Sequence, residues 1–257
     1  MRLRISHSAA SSYLNCPYGY AMDHMPSPTY YQASLHLGQV VHAVVARVAM
    51  TVRNSGVLPD ASEVPGWLRH ELDKPHPGLD DDERDRLFDS GLPQVMAHYD
   101  RIAPELVGKR GILVEEFFSV ELHGERGVVL VTGRIDLAYQ DPESGALVLY
   151  DYKTGKVPRG GTAGSQLAMY VMYARLQYGL DVEAAEVYLG PEEGTEVLPY
   201  PPERLEADLQ RLYDVAIAAY ADQHFHRRIG AQCAWCSHLP RCADAEPHLM
   251  QLLQHSN

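Results

Sequence analysis

Positive charge is short in this sequence relative to negative charge. Lysine and arginine total 22 against 34 aspartates and glutamates, a formal net charge of −12. That balance excludes a protein that coats nucleic acid through bulk electrostatics, since such binding grows with the number of phosphates a basic surface neutralises. An enzyme on nucleic acid stays compatible with it if its basic groups are clustered and a divalent cation offsets the phosphates. Long apolar runs are missing too. The most hydrophobic stretch, 40–50, is broken by His42 and Arg47, and MRLRISHSAASS carries no apolar run after its arginines, so neither a leader nor a membrane span is expected. The reading is a soluble, cytoplasmic protein. Cysteine is scarce, with Cys16, Cys233, Cys236 and Cys242 making four, and 257 residues suffice for one large domain with a real core.

What is there centres on residues 115–153. Turn signals at 123–127 (His-Gly-Glu-Arg-Gly) and 141–145 (Asp-Pro-Glu-Ser-Gly) split a β-rich run into three strands, which predicts an antiparallel meander. Side chains alternate faces along a strand, so Asp136 shares a face with Thr132 and Arg134, and Asp151 shares one with Lys153. Two carboxylates and a lysine then meet at the ends of neighbouring strands. Close carboxylates repel unless a hard, oxygen-preferring cation lies between them, and a lysine beside it can hold a water aimed at a phosphate. This local chemistry points to metal-dependent phosphodiester hydrolysis.

The flanks read mainly as helices. In residues 6–23 a short helix is predicted with Ser6 or Ser8 as N-cap, ending at Cys16-Pro17 and so delivering the cysteine. Residues 35–53 place Leu37, Val40, Val41, Val44, Val45 and Val48 at helical spacing, a buried helix that also carries His42. By itself such a histidine is more often a packed core residue than a ligand. In 54–110, prolines interrupt the pattern, Asp80–Asp82 offers a helix start, and a helix broken near Pro93 is expected. A glycine-rich loop, 156–165, brings Lys156 and Arg159 within reach of phosphates, but lacks the glycine spacing of a nucleotide-binding loop. A helix over 166–177 sets Gln166 and Tyr170 on one face, and a strand at 185–189 follows as a parallel crossover. A last helix runs from Pro201-Pro202 to about Arg228, ending in the basic, aromatic His224-Phe-His-Arg-Arg, suited to stacking on a single strand or to complementing a helix C-terminus.

Taken together, Gly133-Arg-Ile-Asp136, then Asp151-Tyr-Lys153-Thr-Gly, then Gln166-x-x-x-Tyr170 resembles the PD-(D/E)XK nuclease superfamily, specifically its RecB-like branch. Gly38-Gln-Val-Val-His42 resembles the Gly-x-x-x-His element that precedes the core in that branch. The resemblance implies a restriction-endonuclease-like α/β fold, a central mixed β-sheet flanked by helices, within a single domain over 1–257. Its parts would be a mainly helical one (1–110), the catalytic sheet and helix (111–190), and a C-terminal helix with the cysteine cluster (191–257). It also implies roles. His42, Asp136, Asp151 and the backbone carbonyl of Tyr152 hold one Mg²⁺ or Mn²⁺; Lys153 orients and helps deprotonate the attacking water; Gln166 and Tyr170 support the site. Glu116, or failing that Glu115, approaches the metal, and strand alternation allows only one of them.

Cys233-x2-Cys236-x5-Cys242 needs a fourth ligand, which Cys16 supplies from more than two hundred residues upstream. Four thiolates fit a cubane iron–sulfur (4Fe-4S) cluster or tetrahedral zinc, with His238 the alternative fourth zinc ligand. The split of one early and three late cysteines resembles the iron–sulfur nucleases of the RecB-like branch, namely the CRISPR-associated exonuclease family and AddB-type and Dna-two-type enzymes. That resemblance implies exonucleolytic degradation of single-stranded DNA or DNA ends, with a 5′ to 3′ direction and CRISPR or recombination partner proteins or a homo-oligomer as its family-level expectations. Two other readings remain at this point: a non-catalytic DNA-end-binding or adaptor subunit that keeps the fold, and a small zinc-stabilised binding module.

Overall fold

The computed structural model describes residues 2–24, 33–76, 78–157, 162–190, 194–239 and 242. Among them are β1 (Arg2–Ser6), α1 (His7–Asn15), α2 (Pro17–Asp23), α3 (Ala33–Ser55), α4 (Val64–Leu72), α5 (Asp81–Arg101), β2 (Arg110–Gly124), β3 (Gly127–Gln140), β4 (Leu147–Lys153), α6 (Gln166–Tyr178), β5 (Val182–Gly190), β6 (Gly194–Pro199) and α7 (Leu205–Ala221). They form a mixed sheet flanked by helices. The chain divides into two compact units that interleave in sequence: residues 1–32, 121–132 and 209–257, and residues 33–120 and 133–208.

In the larger unit, β3 and β4 are antiparallel, β4 and β5 parallel through α6, and β5 and β6 antiparallel, while β2 pairs with β3. The parallel strands read as continuous apolar runs because helices cover both faces; in β4 every residue but Tyr150 and Lys153 is buried. Valines 41, 44, 45, 48 and 52 of α3 are at most 2% exposed. This helix is long and apolar enough to cross a bilayer, yet those valines are spent on the protein's own core. Asp80 caps α5, accepting from the Glu83 N–H at 2.8 Å, as its sequence suggests. The expected break at Pro93 does not occur, and α5 runs through it to Arg101. Proline removes one helical N–H without abolishing a helix held by tertiary packing; here Leu87 and Val95 anchor both sides of it in the core.

In the smaller unit, β1 lies parallel to the first part of β3, in register from Arg2↔Val128 to Ser6↔Thr132. The short helix expected to end at Cys16-Pro17 is α1, and a second helix, α2, follows it at once. Ser6 caps α1, accepting from the Ala9 N–H at 3.2 Å, and Cys16 is the break. Its backbone is extended, it closes α1, and its thiol accepts from the Gly19 N–H at 3.5 Å to open α2, with Pro17 in the first turn where no N–H is needed. The last helix stops at Ala221, earlier than Arg228, because Asp222 turns its carboxylate onto the N–H groups of His224 and Phe225, both at 2.9 Å. Tyr213 of α7 fixes the connection between β2 and β3, accepting from the Arg126 N–H at 3.0 Å and donating to the Gly127 carbonyl at 3.2 Å.

Candidate active site

The site grows from a divergence of two strands. The β3–β4 ladder runs from Gln140↔Leu147 to Leu137↔Tyr150. One residue further along β3, Asp136 takes over from the main chain, its carboxylate accepting the Tyr152 N–H at 2.8 Å. Below it Tyr152 is buried, edge-on to His98 of α5 and to His42 of α3, with its hydroxyl 3.0 Å from His98 Nε2.

Around Asp136 stand two more metal-type donors. His42 Nδ1 lies 3.5 Å from Asp136 Oδ2, and ligand atoms of His42, Glu115 and Asp136 all fall within 4.8 Å of one another. Burial pulls the His42 pKa down, but the hydrogen bond to Asp136 and the charges of Asp136, Glu115 and Asp151 leave it above its ordinary value. Burial and the Asp136 charge push the Glu115 carboxyl up. Such mutual strain in an imidazole-plus-carboxylate set is what a hard divalent cation relieves, so the donors fit magnesium or manganese. An open groove of about 700 Å³ runs past this group, with Arg134 among its lining residues and Leu35, Ala43, Ala46 and Met50 of α3 along it.

The acid of β2 in this group is Glu115. Glu116, expected to approach the metal, instead places its charge beside Tyr178 of α6. Glu115 has φ 53° inside a strand, the left-handed region that costs a non-glycine residue about 1–2 kcal/mol. Backbone held this way is a feature of functional positions. Arg134 completes the corner, its guanidinium 3.4 Å from the Glu115 carboxylate and mostly exposed.

Asp151 is not in the three-donor group. It is turned instead into a ring of side chains assembled by β4 and α6. Lys153 Nζ stands 2.5 Å from Asp151 Oδ2 and donates to Gln166 Oε1 at 3.0 Å; Gln166 Nε2 donates to the Tyr170 hydroxyl at 2.7 Å; that hydroxyl donates to Asp151 Oδ1 at 3.4 Å. Gln166 and Tyr170, four apart on α6, thereby brace both members of the Asp-x-Lys pair. Burial raises the Asp151 pKa to about 6 despite the Lys153 charge. Burial lowers that of Lys153, but Asp151, Glu186 and Asp136 more than offset it and leave it raised. Gly133 supports the ring from beneath. A Cβ there would sit 2.6 Å from the Phe118 ring, and Phe118 packs edge-on to Tyr170 and stacks on Tyr173.

The four cysteines all lie in the smaller unit, where they line one enclosed cavity with His238. Burial raises the Cys236 pKa, and the charges of Cys16, Cys233 and Cys242 add to it. Among the described residues no three thiols come within 4.8 Å of one another. His238 is engaged elsewhere, its Nε2 2.7 Å from Asp23 Oδ1. The basic segment after α7 lies against this wall, Arg227 over the Tyr18 ring at 4.5 Å and Arg228 donating to the Leu14 carbonyl. Lys156 is exposed, and Arg159 lies outside the described residues.

Sequence reasoning missed Arg134 as a neighbour of Glu115, and it missed Glu186 of β5. No periodicity announces either residue, although an acid inside the apolar run of β5 is itself a signal.

A mixed sheet whose diverging strands present acids and a lysine beside a helix-borne histidine defines the class of hydrolytic metal sites. The chain belongs to the PD-(D/E)XK nuclease superfamily, whose model matches residues 4–243. No curated protein matches significantly. Among solved structures, the chain is similar to one named "Putative exonuclease" from Eubacterium rectale (10% identity, 89% of this chain and 91% of that one, TM-score 0.49). It is also similar to SSO0001 (13% identity, 81% and 94%, TM-score 0.39) and to VC1899 from Vibrio cholerae (17%, 84% and 58%, TM-score 0.26).

Proposed function

We propose that the chain, as one nuclease domain acting in the cytoplasm, is a metal-dependent exonuclease that hydrolyses phosphodiester bonds in single-stranded DNA or at DNA ends. The observation that carries this is the meeting of His42, Glu115 and Asp136 within 4.8 Å, beside an ammonium group braced by Asp151 and Gln166. His42, Glu115, Asp136, Asp151 and the Tyr152 carbonyl are the residues to hold Mg²⁺ or Mn²⁺. When bound, that ion supplies Lewis acidity toward the phosphate and lowers the pKa of water. Lys153, held as a cation, donates to a phosphate oxygen and neutralises charge as it builds there. Gln166 and Tyr170 fix its direction, and Arg134, at the groove, is placed to meet a neighbouring phosphate. The apolar side chains of α3 along the same groove suit the face of an unpaired base.

The cysteine cavity holds a structural 4Fe-4S cluster in this reading. Tetrahedral zinc on the same thiolates is the alternative occupant.

Labelled single- and double-stranded DNA incubated with Mn²⁺ or Mg²⁺ tests the activity. Wild type is expected to release short products from single strands or ends, and Lys153→Ala and Asp136→Ala to release none. Equal product from all three proteins, or none from any, refutes the reading. Anaerobically purified protein should show broad visible absorbance that Cys16→Ser loses; zinc by elemental analysis with no such absorbance refutes the cluster.

A further inference from the structure

One carboxylate near the site has no part in the chemistry described so far. Glu186 lies on β5 directly across from Asp151 and is 4% exposed. Its Oε2 accepts from the Tyr188 hydroxyl at 2.9 Å, and its Oε1 stands 3.9 Å from Lys153 Nζ. The backbone at Gly164 closes over it, so near that a Cβ there would fall 2.7 Å from Oε1. A buried carboxylate is costly unless a charge and hydrogen bonds compensate it. Among the described residues, Lys153 is the cation within 4.0 Å of Glu186. Nothing in the packing of β5 requires an acid, since Ala184, Ala185, Val187 and Leu189 around it are apolar and buried.

Lys153 sits on a flexible four-carbon stem, and its nearest partner is Asp151 at 2.5 Å. Asp151 is also one of the acids assigned to the cation. A carboxylate that turns toward an ion weakens its hold on the ammonium, and the lysine then needs a second anionic anchor that faces away from the groove. Glu186 is in that place, fixed by Tyr188 on its own strand and by the approach of Gly164.

We propose that Glu186 is a positioning residue for Lys153: a second anionic tether, from the adjacent strand, that keeps the ammonium aimed at the substrate phosphate while Asp151 is engaged by the cation. The catalytic part rests on the nuclease reading; the tether itself does not. Tyr188 and Gly164 act through Glu186.

The test uses the full chain and two readouts. Glu186→Gln keeps the shape and removes the charge. With Mn²⁺ and single-stranded DNA it should lower kcat by about 10- to 100-fold, the usual cost of losing a supporting partner of a site residue, with KM within about twofold of wild type, since only Lys153 and not the groove is disturbed. Tyr188→Phe, which keeps both charges, should move kcat the same way by less. The second readout is thermal unfolding of metal-free protein in a double-mutant cycle with Lys153→Met. Glu186→Gln should lower the melting temperature when Lys153 is present and raise it in the Lys153→Met background, where the carboxylate has lost its partner. Unchanged kcat in Glu186→Gln overturns the positioning role, and so does an equal temperature shift in both backgrounds. Inactive wild type would instead refute the nuclease reading, and the cycle would still decide the tether.

Discussion

His98 should make the protein acid-sensitive in a way that a single substitution isolates. It is fully buried on α5, with Nε2 3.0 Å from the Tyr152 hydroxyl and Nδ1 without a partner, and burial lowers its pKa to about 3. The unfolded chain offers a proton site near pH 6.5, so its contribution to stability is full above that pH and is lost as pH falls toward 3. One site with those two values loses about 2 kcal/mol between pH 7 and pH 5, and about 3 kcal/mol by pH 4. Asp151 works in the opposite direction. Its pKa is raised to about 6, so its protonation favours the folded state and stability is regained as pH falls from 6 toward 3.8. The wild-type curve alone therefore mixes two slopes of opposite sign. His98→Gln separates them, because its amide nitrogen can still reach the Tyr152 hydroxyl but does not titrate. Urea unfolding of both proteins, metal-free, at pH 7, 5 and 4 should show the stability of wild type relative to the variant falling by those amounts. Parallel curves would refute the reasoning and mean that His98 meets water or a further acid.

Gly133→Ala should destabilise by about 1–3 kcal/mol through overpacking against Phe118, read as a lowered melting temperature, with part regained in Gly133→Ala/Phe118→Leu. Glu115→Gln should weaken Mn²⁺ binding, measured by calorimetry, by at least about tenfold, whereas Glu116→Gln leaves it unchanged; the reverse order would return the metal role to Glu116. Because His42 holds its proton above the ordinary histidine range and must be neutral to bind a metal, Mn²⁺ binding near pH 7 should release a fraction of a proton, and affinity should fall as pH drops. Calorimetry in buffers of different ionisation enthalpy measures that release, which His42→Gln should reduce to the smaller share contributed by Asp151 and Glu115.

The sheet and most helices were legible because their signals are periodic. Alternation and turn residues mark β2, β3 and β4, and the valine spacing marks α3. What was not legible depended on local events without a period. The end of α1 at Cys16-Pro17 was legible, but not that α2 follows directly, which depends on the extended backbone of Cys16 and its thiol accepting from the Gly19 N–H. The stop of α7 at Ala221 depends on the side chain of Asp222, a local bond that competes with the helix. Pro93 looked like a boundary because intrinsic preference was weighed without the tertiary packing that overrides it. At the site, the motif residues of Asp-x-Lys and Gln-x-x-x-Tyr do meet, since strand and helix periods dictate their faces. The choice between Glu115 and Glu116 was beyond reach, because it turns on one left-handed residue that breaks the alternation the argument relied on.

On the nuclease reading, the charges at the site explain how so acidic a chain would meet a polyanion. Glu115, Asp136, Asp151 and Glu186 place four carboxylates around two permanent cations, Arg134 and Lys153. Burial would drive carboxylates in such excess toward protonation, and the raised pKa values of Glu115 and Asp151 are the sign of that pressure. A divalent cation reverses it by matching the excess, and only then does a phosphate meet a positive centre. The net charge of −12 and a local cation would then do separate jobs. On the nuclease reading, a phosphate would be held where a bound metal, Lys153 and Arg134 act together, while the acidic balance would oppose adhesion elsewhere.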